Sequence, residues 1–322
     1  MHAWKCVTWG DPRHLQLGRM SDPVCEEGQV EITVKACGVN FADLLLISGR
    51  YQLRPELPFI PGMEVAGWVT AVGPGVAAPS VGDHVAAYVK YGGYADKVVA
   101  PIAQVAVIPD SISSATAAAF AVSYGSAELA FDRAHLTADE VVVIGGAAGA
   151  VGSACIELAK QRGATVIACV GDVAKEQVAR ACGADEIVSS RSRALQQDLK
   201  AAAPDGVDVI IDPVGGSFFD ESLRSLRFGG RVVVLGFASG KIPSLRLNQL
   251  LIKQQSVIGS SFGLTCIKDP TRISDKWPAL VAMLERGSIK PRVSKSLPFT
   301  DLPKALNLLK ERKLAGRVVL GG

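Results

Sequence analysis

The stretch Gly145-Gly-Ala-Ala-Gly-Ala-Val-Gly-Ser-Ala-Cys-Ile-Glu-Leu-Ala-Lys160 constrains the fold of this chain more than any other. It follows the apolar run 141–144 and opens into a helical pattern, so it reads as a strand, a tight turn and a helix. Such a turn presents free backbone N–H groups at a helix N-terminus, where a pyrophosphate can bind. The spacing departs from G-x-G-x-x-G, because Ala147 stands ahead of Gly149 and Gly152 in the first glycine position. Gly149 lets the backbone approach phosphates, and Gly152 lets the helix pack closely on a sheet. Ala147 is tolerable if that position avoids positive φ. Taken alone, the turn could equally be a strand–turn–helix built from small residues.

The surrounding pattern favours the cofactor reading. From Glu140 onward, apolar runs at 141–144, 165–170, 186–188, 207–211, 231–235 and 256–258 alternate with helical stretches. That alternation predicts an α/β fold with a doubly wound parallel sheet, its strands buried on both faces. The first third is different. Residues 30–36, 65–72 and 83–89 read as strands, and Pro55, Pro58, Pro61, Pro74 and Pro79 break up any helix between the last two of these and around them. A barrel-like, β-rich domain is expected there. Residues 113–130 are Ala-rich and helical, 277–286 and 302–311 read as helices, and 317–320 reads as a strand rejoining the first domain. The expected organisation is a first domain over 1–122, a cofactor domain over 123–262, and a return segment over 263–322.

Bulk properties exclude several classes. With 322 residues, 48% apolar and 20% charged, the chain can bury two cores. A net charge of +3 is too small to argue for nucleic acid or a membrane surface. There is no signal-peptide pattern at the start and no apolar run long enough to span a bilayer. The seven cysteines, Cys6, Cys25, Cys37, Cys155, Cys169, Cys182 and Cys266, are scattered without a C-x-x-C, which suits reduced thiols in the cytoplasm. They also lack the close spacing of a structural zinc lobe.

The second strand bears on which dinucleotide binds. NAD enzymes place an acid at its end to accept from the ribose hydroxyls. Here residues 165–170 lead into Gly171 with no terminal carboxylate, while Lys175 and Arg191 lie nearby. This favours the 2′-phosphate of NADP, so NADPH is the expected cofactor. Asp172 lies close enough to argue otherwise, and is read instead as the N-cap of the following helix. Lys175 can also be read as a solvated helix residue.

Several segments together resemble a known family. They include Cys37-Gly-Val-Asn-Phe-Ala-Asp-Leu44, Leu57-Pro-Phe-Ile-Pro-Gly-Met-Glu64, Val81-Gly-Asp-His-Val85 and Ala118-Ala-Phe-Ala-Val-Ser-Tyr-Gly125. The glycine turn, Asp212-Pro-Val-Gly-Gly216, Gly229-Gly-Arg231 and Gly316-Arg317 follow in order. Over nearly its whole length the chain resembles the medium-chain dehydrogenase/reductase superfamily, and within it the zinc-free, zeta-crystallin-like quinone oxidoreductases. The resemblance implies a GroES-like β-rich catalytic domain, a Rossmann cofactor domain and a cleft between them. It also implies a homodimer joined through the sheet edge at 256–261. Around the cofactor it implies Ala148, Gly149, Ala150, Val151 and Gly152 at the pyrophosphate, and Gly171, Lys175 and Arg191 at the adenosine end. Ser123, Tyr124, Val214, Phe237, Ala238, Phe262 and Gly263 are implied on the nicotinamide side, with Asn248 and Arg317 also touching the cofactor.

Zinc-dependent relatives hold their metal with Cys, His and Cys, and those positions fall here on Asn40, Met63 and Ala118, none a competent ligand. No metal is therefore expected. Glu64 and Asp43 survive beside them; Glu64 is expected to pair with Arg50 or another cation, or to accept backbone N–H bonds. His84 and His135 are read as structural. A metal-free site suits quinone or enone reduction, because the negative charge spreads over a conjugated system that hydrogen-bond donors can stabilise. Tyr51 and Asn40 are the candidate donors near the substrate, with Asp43 a third catalytic candidate. Three alternatives remain: an NADPH-dependent 2-enoyl-thioester or enone reductase, an NADPH-binding sensor or RNA-binding protein, and a zinc alcohol dehydrogenase with unusual ligands.

Overall fold

The computed structural model describes residues 1–312 and 314–321. The chain divides into two compact units, Met1–Val122 with Gly263–Gly322, and Ser123–Phe262. In chain order the first unit runs β1 (His2–Cys6), β2 (Leu15–Arg19), β3 (Gln29–Val39), α1 (Phe41–Ile47), β4 (Glu64–Val72), β5 (His84–Tyr88), β6 (Lys97–Pro101), β7 (Val105–Val107) and α2 (Ser114–Ala117). Then come α3 (Ala121–Ala134), β8 (Val141–Ile144), α4 (Ala150–Gln161), β9 (Thr165–Val170), α5 (Val173–Ala181), β10 (Glu186–Ser189), α6 (Leu195–Ala202), β11 (Val207–Asp212) and α7 (Ser217–Ser222). Next are β12 (Leu226–Val234), α8 (Leu247–Lys253), β13 (Ser256–Gly259) and α9 (Phe262–Lys268). The chain closes with α10 (Thr271–Ser274), α11 (Trp277–Glu285), β14 (Val293–Leu297), α12 (Leu302–Lys310) and β15 (Arg317–Gly321).

Among the described residues the Ser123–Phe262 unit holds a six-stranded sheet in the order β10-β9-β8-β11-β12-β13. Every pairing in it is parallel. The order reverses between β8 and β11, which opens a crevice at the carboxyl ends of those strands. Val143, Ile167, Ile210 and Val232 on the central strands are fully buried against Phe218 and Leu226. Burial on both faces accounts for the unbroken Val and Ile of these strands, which carry no alternation. The fold is therefore the Rossmann arrangement that the sequence pattern implied.

Among the described residues the other unit holds a seven-stranded, mostly antiparallel sheet, β14-β15-β3-β4-β5-β7 with β6 also pairing to β3, and a two-stranded sheet of β1 and β2. The closing strand β15 is antiparallel to β3, in the register Val318 to Val39 and Leu320 to Cys37. The C-terminal segment thus completes the N-terminal sheet. Two local expectations differ from what is observed. The helix expected across 113–130 is broken into α2 and α3, the break falling at 118–120, where Ala118, Ala119 and Phe120 are all buried. Helix α1, which the sequence reading did not separate from its strand-rich surroundings, begins where Asn40 N–H donates to the Asp43 carboxylate at 2.8 Å. That reach back from the third helical position is half of a capping box.

Arg231 on β12 shows what the Gly-Gly-Arg motif does. Its two terminal nitrogens donate to the Glu140 carboxylate at 2.7 and 2.8 Å, and Nε donates to the Ala134 carbonyl at 2.6 Å. One planar fork therefore ties β12 to the end of α3 and the start of β8. A lysine cannot reproduce this fork. Arg231→Lys is expected to cost about 2–4 kcal/mol, read as a lower urea midpoint with an unchanged slope.

Candidate functional site

In the Ser123–Phe262 unit the glycine turn sits between the ends of two strands. Gly145 N–H donates to Ile211 O at 2.9 Å, and Ala147 N–H to Cys169 O at 3.2 Å. The positive φ of the turn, +57°, falls on Gly146 and not on Ala147, so the missing glycine costs nothing. Gly152 is needed for a different reason. A Cβ there would lie 2.7 Å from the Ala147 Cα and would also strike the Gly146 carbonyl. Helix α4 starts at Ala150, with Gly149 as its N-cap. The N–H groups of Ala150, Val151 and Gly152 precede the first i→i−4 bond, from Ser153 to Gly149 O at 2.9 Å. Buried Ala148 completes the turn. The close fit is therefore backbone on backbone at Gly152, beneath the first N–H groups of α4.

β9 and its neighbours carry the residues expected at the adenosine end. A Cβ on Gly171 would lie 3.3 Å from Arg191 Nε, so the guanidinium lies against the end of β9. Asp172 caps α5, accepting from Lys175 N–H at 3.0 Å, and its carboxylate pairs with Lys175 Nζ at 2.9 Å. Lys175 holds the Asp172 carboxyl below the usual range. Asp172 is thus a cap, as expected, and Lys175 is engaged by it, while Arg191 stands exposed in the turn after β10.

At the ends of β11 and β12 the turns pack on each other. One oxygen of buried Asp212 accepts from Val214 and Gly215 N–H at 2.7 and 2.8 Å. Ala238 N–H donates to Pro213 O at 3.0 Å, and a Cβ on Gly215 would lie 3.0 Å from the Phe237 ring. Val214, Phe237 and Ala238 therefore share one end of the sheet. Ser123 and Tyr124 are buried, and the Tyr124 hydroxyl donates to Glu157 at 2.7 Å, linking α3 to α4. Asn248 lies exposed on α8, beside the exposed Leu247.

In the other unit, polar residues from four elements converge below the surface. Glu64, at the start of β4, is ion-paired with Arg317 at the start of β15. Its second oxygen accepts from Val122 N–H at 2.9 Å. Asn40 accepts from Arg317 at 2.6 Å and turns its amide nitrogen to Glu64 at 3.3 Å. Asp43 is fully buried and accepts from Tyr94 Oη at 2.6 Å. The cation expected for Glu64 is thus Arg317 and not Arg50. Arg317 and Asn40, expected at cofactor or substrate, are 3% and 8% exposed and commit these polar atoms to each other and to Glu64. Met63 and Ala118, at the other positions where relatives ligate zinc, are also buried. Among the described residues no three His, Cys, Asp or Glu side chains converge as a metal-holding group. His84 packs on Trp68 at 4.6 Å and bonds Ser114 at 3.0 Å, a structural setting.

Tyr51 is half-buried in the loop after α1, and burial raises its hydroxyl above the usual phenol value. A Cβ on Gly263 would lie 3.0 Å from Tyr51 Oη and 2.7 Å from Tyr88 Oη. Tyr88 was not singled out in the sequence, where it reads as one more core residue of a strand. Its only available signal was a phenol in a buried run, which needs a polar partner.

Burial raises Asp43 from 3.8 to about 6, against the Tyr94 and Asn40 bonds and the field of Arg317. The folded protein therefore holds this proton more tightly than the unfolded chain. Its contribution to stability is full below about pH 4 and is lost as pH rises through about 6. The unfolding free energy of Asp43→Asn is expected to lack that slope when both proteins are titrated by urea unfolding across this window. Arg317→Ala leaves Glu64 buried without its cation and is expected to cost about 3–5 kcal/mol, read by thermal unfolding.

Comparisons agree with this architecture. Residues 26–110 match the family model described as "Alcohol dehydrogenase GroES-like domain" and residues 150–286 that described as "Zinc-binding dehydrogenase". The chain is 36% identical over 311 residues to "Quinone oxidoreductase-like protein 2" of Bos taurus, covering 96% of this chain and 89% of that protein. A mycobacterial protein solved in complex with NADPH superposes with a TM-score of 0.92 at 30% identity, covering both chains fully. Escherichia coli quinone oxidoreductase, also complexed with NADPH, gives a TM-score of 0.92 at 28% identity over the full length of both. By these matches the chain belongs to the medium-chain dehydrogenase/reductase superfamily, among the quinone oxidoreductase-like proteins.

Proposed function

We propose that the protein is an NADPH-dependent reductase of quinones or related conjugated carbonyls. The observation that carries this reading is the turn from Gly146 to Gly152, where a Cβ at Gly152 would strike backbone, with Arg191 lying against Gly171 one strand away. The turn and the first N–H groups of α4 would hold the pyrophosphate, and Arg191 the 2′-phosphate, beside an Asp172 carboxylate already engaged by Lys175. Two similar proteins are solved with NADPH, which supports the choice of cofactor. Bound there, the reduced nicotinamide supplies a hydride. The task left to this chain is to hold a flat acceptor and to stabilise the charge that reduction puts on its oxygen. Tyr51 is the donor for that oxygen, since its hydroxyl belongs to a half-buried side chain and Asn40 is committed elsewhere. One preorganised donor of this kind is worth about 3–4 kcal/mol of barrier.

The enoyl-thioester alternative has one observation in its favour. Arg54 lies over the Trp9 ring at 5.1 Å, a platform able to stack a nucleotide base and face a phosphate. Initial rates with NADPH and either 9,10-phenanthrenequinone or crotonyl-CoA separate the two. Faster turnover of the quinone is the expected result, and turnover of the thioester alone would overturn it. No helix among the described residues is long and apolar enough to cross a membrane.

A homodimer through β13 is part of the same proposal. β13 is an edge strand, and Val257 on it is exposed, as are Leu247, Leu251 and Ile252 on α8. A parallel-sheet edge flanked by exposed aliphatic side chains is an association surface. Leu251→Glu is expected to halve the mass measured by sedimentation. For the cofactor, Arg191→Ala is expected to weaken NADPH binding by about 1–3 kcal/mol and to leave NADH nearly unchanged, measured by calorimetric titration. Lys175→Ala is expected to do less, because Asp172 already holds that ammonium. Equal loss for both cofactors would remove Arg191 from the phosphate site.

A further inference from the structure

The loop that carries Tyr51 holds a second group that the quinone reading leaves unused. Gly49 and Arg54, the two ends of the segment 49–54, both lie against the Trp9 ring. A Cβ on Gly49 would lie 3.2 Å from that ring, and the Arg54 guanidinium stands 5.1 Å from its centroid. Trp9 is itself anchored. Its ring packs on buried Phe59 with centroids 5.6 Å apart, and Phe59 exchanges backbone hydrogen bonds with Cys6 at 2.8 and 3.2 Å. The segment bearing Tyr51 is therefore folded round one fixed indole.

Arg54 is exposed, and among the described residues its guanidinium pairs with no carboxylate and donates no hydrogen bond. Glu56, two residues on, is exposed and does not pair with it, and exposed Arg50 adds a second cation to the segment. An arginine on a surface usually loses rotamer freedom when it takes a ligand. Here the stack on Trp9 already restrains the guanidinium and leaves its N–H fork unspent. That fork suits the paired oxygens of a carboxylate, sulfonate or phosphate. Tyr51 and Arg54 are three residues apart, so their backbone positions lie at most about 10 Å from each other.

We propose that Arg54 is a specificity residue for the acceptor: the segment 49–54 selects a conjugated carbonyl compound that bears an anionic group, with its carbonyl oxygen at the Tyr51 hydroxyl and its anion at the Arg54 guanidinium. This rests on the reductase reading above. A neutral acceptor meets only the hydroxyl donor, whereas an acidic one meets the donor and a cation that Trp9 has already ordered.

Two measurements test it. The first compares 1,2-naphthoquinone with 1,2-naphthoquinone-4-sulfonate, each reduced by NADPH. The ratio of kcat/KM for the sulfonate to that for its parent is expected to fall about ten-fold in Arg54→Gln, chiefly through KM for the sulfonate. Arg54→Lys keeps the charge but loses the fork, and is expected to recover part of the ratio. An unchanged ratio in Arg54→Gln would overturn the proposal. The second measurement needs no turnover. Naphthalene-2-sulfonate, a flat anion with no carbonyl to reduce, is titrated into the protein without cofactor, and tryptophan fluorescence is followed. Trp9→Phe identifies the share of Trp9 among the four tryptophans. Quenching of the Trp9 signal is expected, weakened by salt and lost in Arg54→Gln. A Trp9 signal that does not respond would overturn the proposal. Displacement of the naphthalenesulfonate by adenosine 3′,5′-bisphosphate at lower concentration would assign the guanidinium to a nucleotide, and would overturn it as well. If the wild-type protein reduces neither quinone with NADPH, the reductase reading falls, while the fluorescence titration still decides whether Arg54 and Trp9 hold a flat anion.

Discussion

The ion pair between Glu64 and Arg317 joins residues 253 positions apart inside a sheet, and much of the first unit is arranged around it. Burying two charges is costly, and attraction offsets that cost only where geometry is good and the remaining polar atoms are satisfied. Different elements supply the partners. β15 pairs with β3 and so delivers Arg317 beside the point where β3 ends and α1 begins. There Asn40 accepts from the guanidinium, and the start of β4 supplies the carboxylate. Val122 N–H, at the boundary of the unit, takes the second carboxylate oxygen. The return of the chain to its first sheet is thus a condition for the charge being buried at all.

This arrangement also explains how the positions that hold zinc in related enzymes are used here. Asn40 has become a hydrogen-bond partner of a guanidinium, and Met63 and Ala118 pack as ordinary core. Asp43 is retained as a helix cap and as the acceptor for Tyr94. The Arg317 guanidinium, Glu64 and Asp43 are buried together there.

The cofactor half shows how far a pattern can be read. The strand, turn and helix around Gly149 and the alternation after Glu140 were legible because parallel strands buried on both faces leave unbroken apolar runs. Asp172 as a cap was legible because an acid ahead of a helix has one local use that needs no tertiary partner. Helix α1 was not, since seven residues beside a proline-rich stretch carry too little periodicity. The break between α2 and α3 was hidden for the opposite reason. Alanines at 117–119 suit a helix or a buried turn equally well, and only packing separates them.

Local chemistry in the chain determined the two kinds of sheet, the glycine turn between strand and helix, and the lack of zinc-ligand side chains at the three relevant positions, because each depends on neighbours within a few residues. Only the tertiary structure decided the partners. It gave Glu64 to Arg317 and not to Arg50, and gave the same guanidinium to Asn40. The physical reason is range. Hydrophobic period and capping act along the chain, whereas the pairing of buried charges and hydroxyls is settled by strand register and by which backbone can approach which side chain.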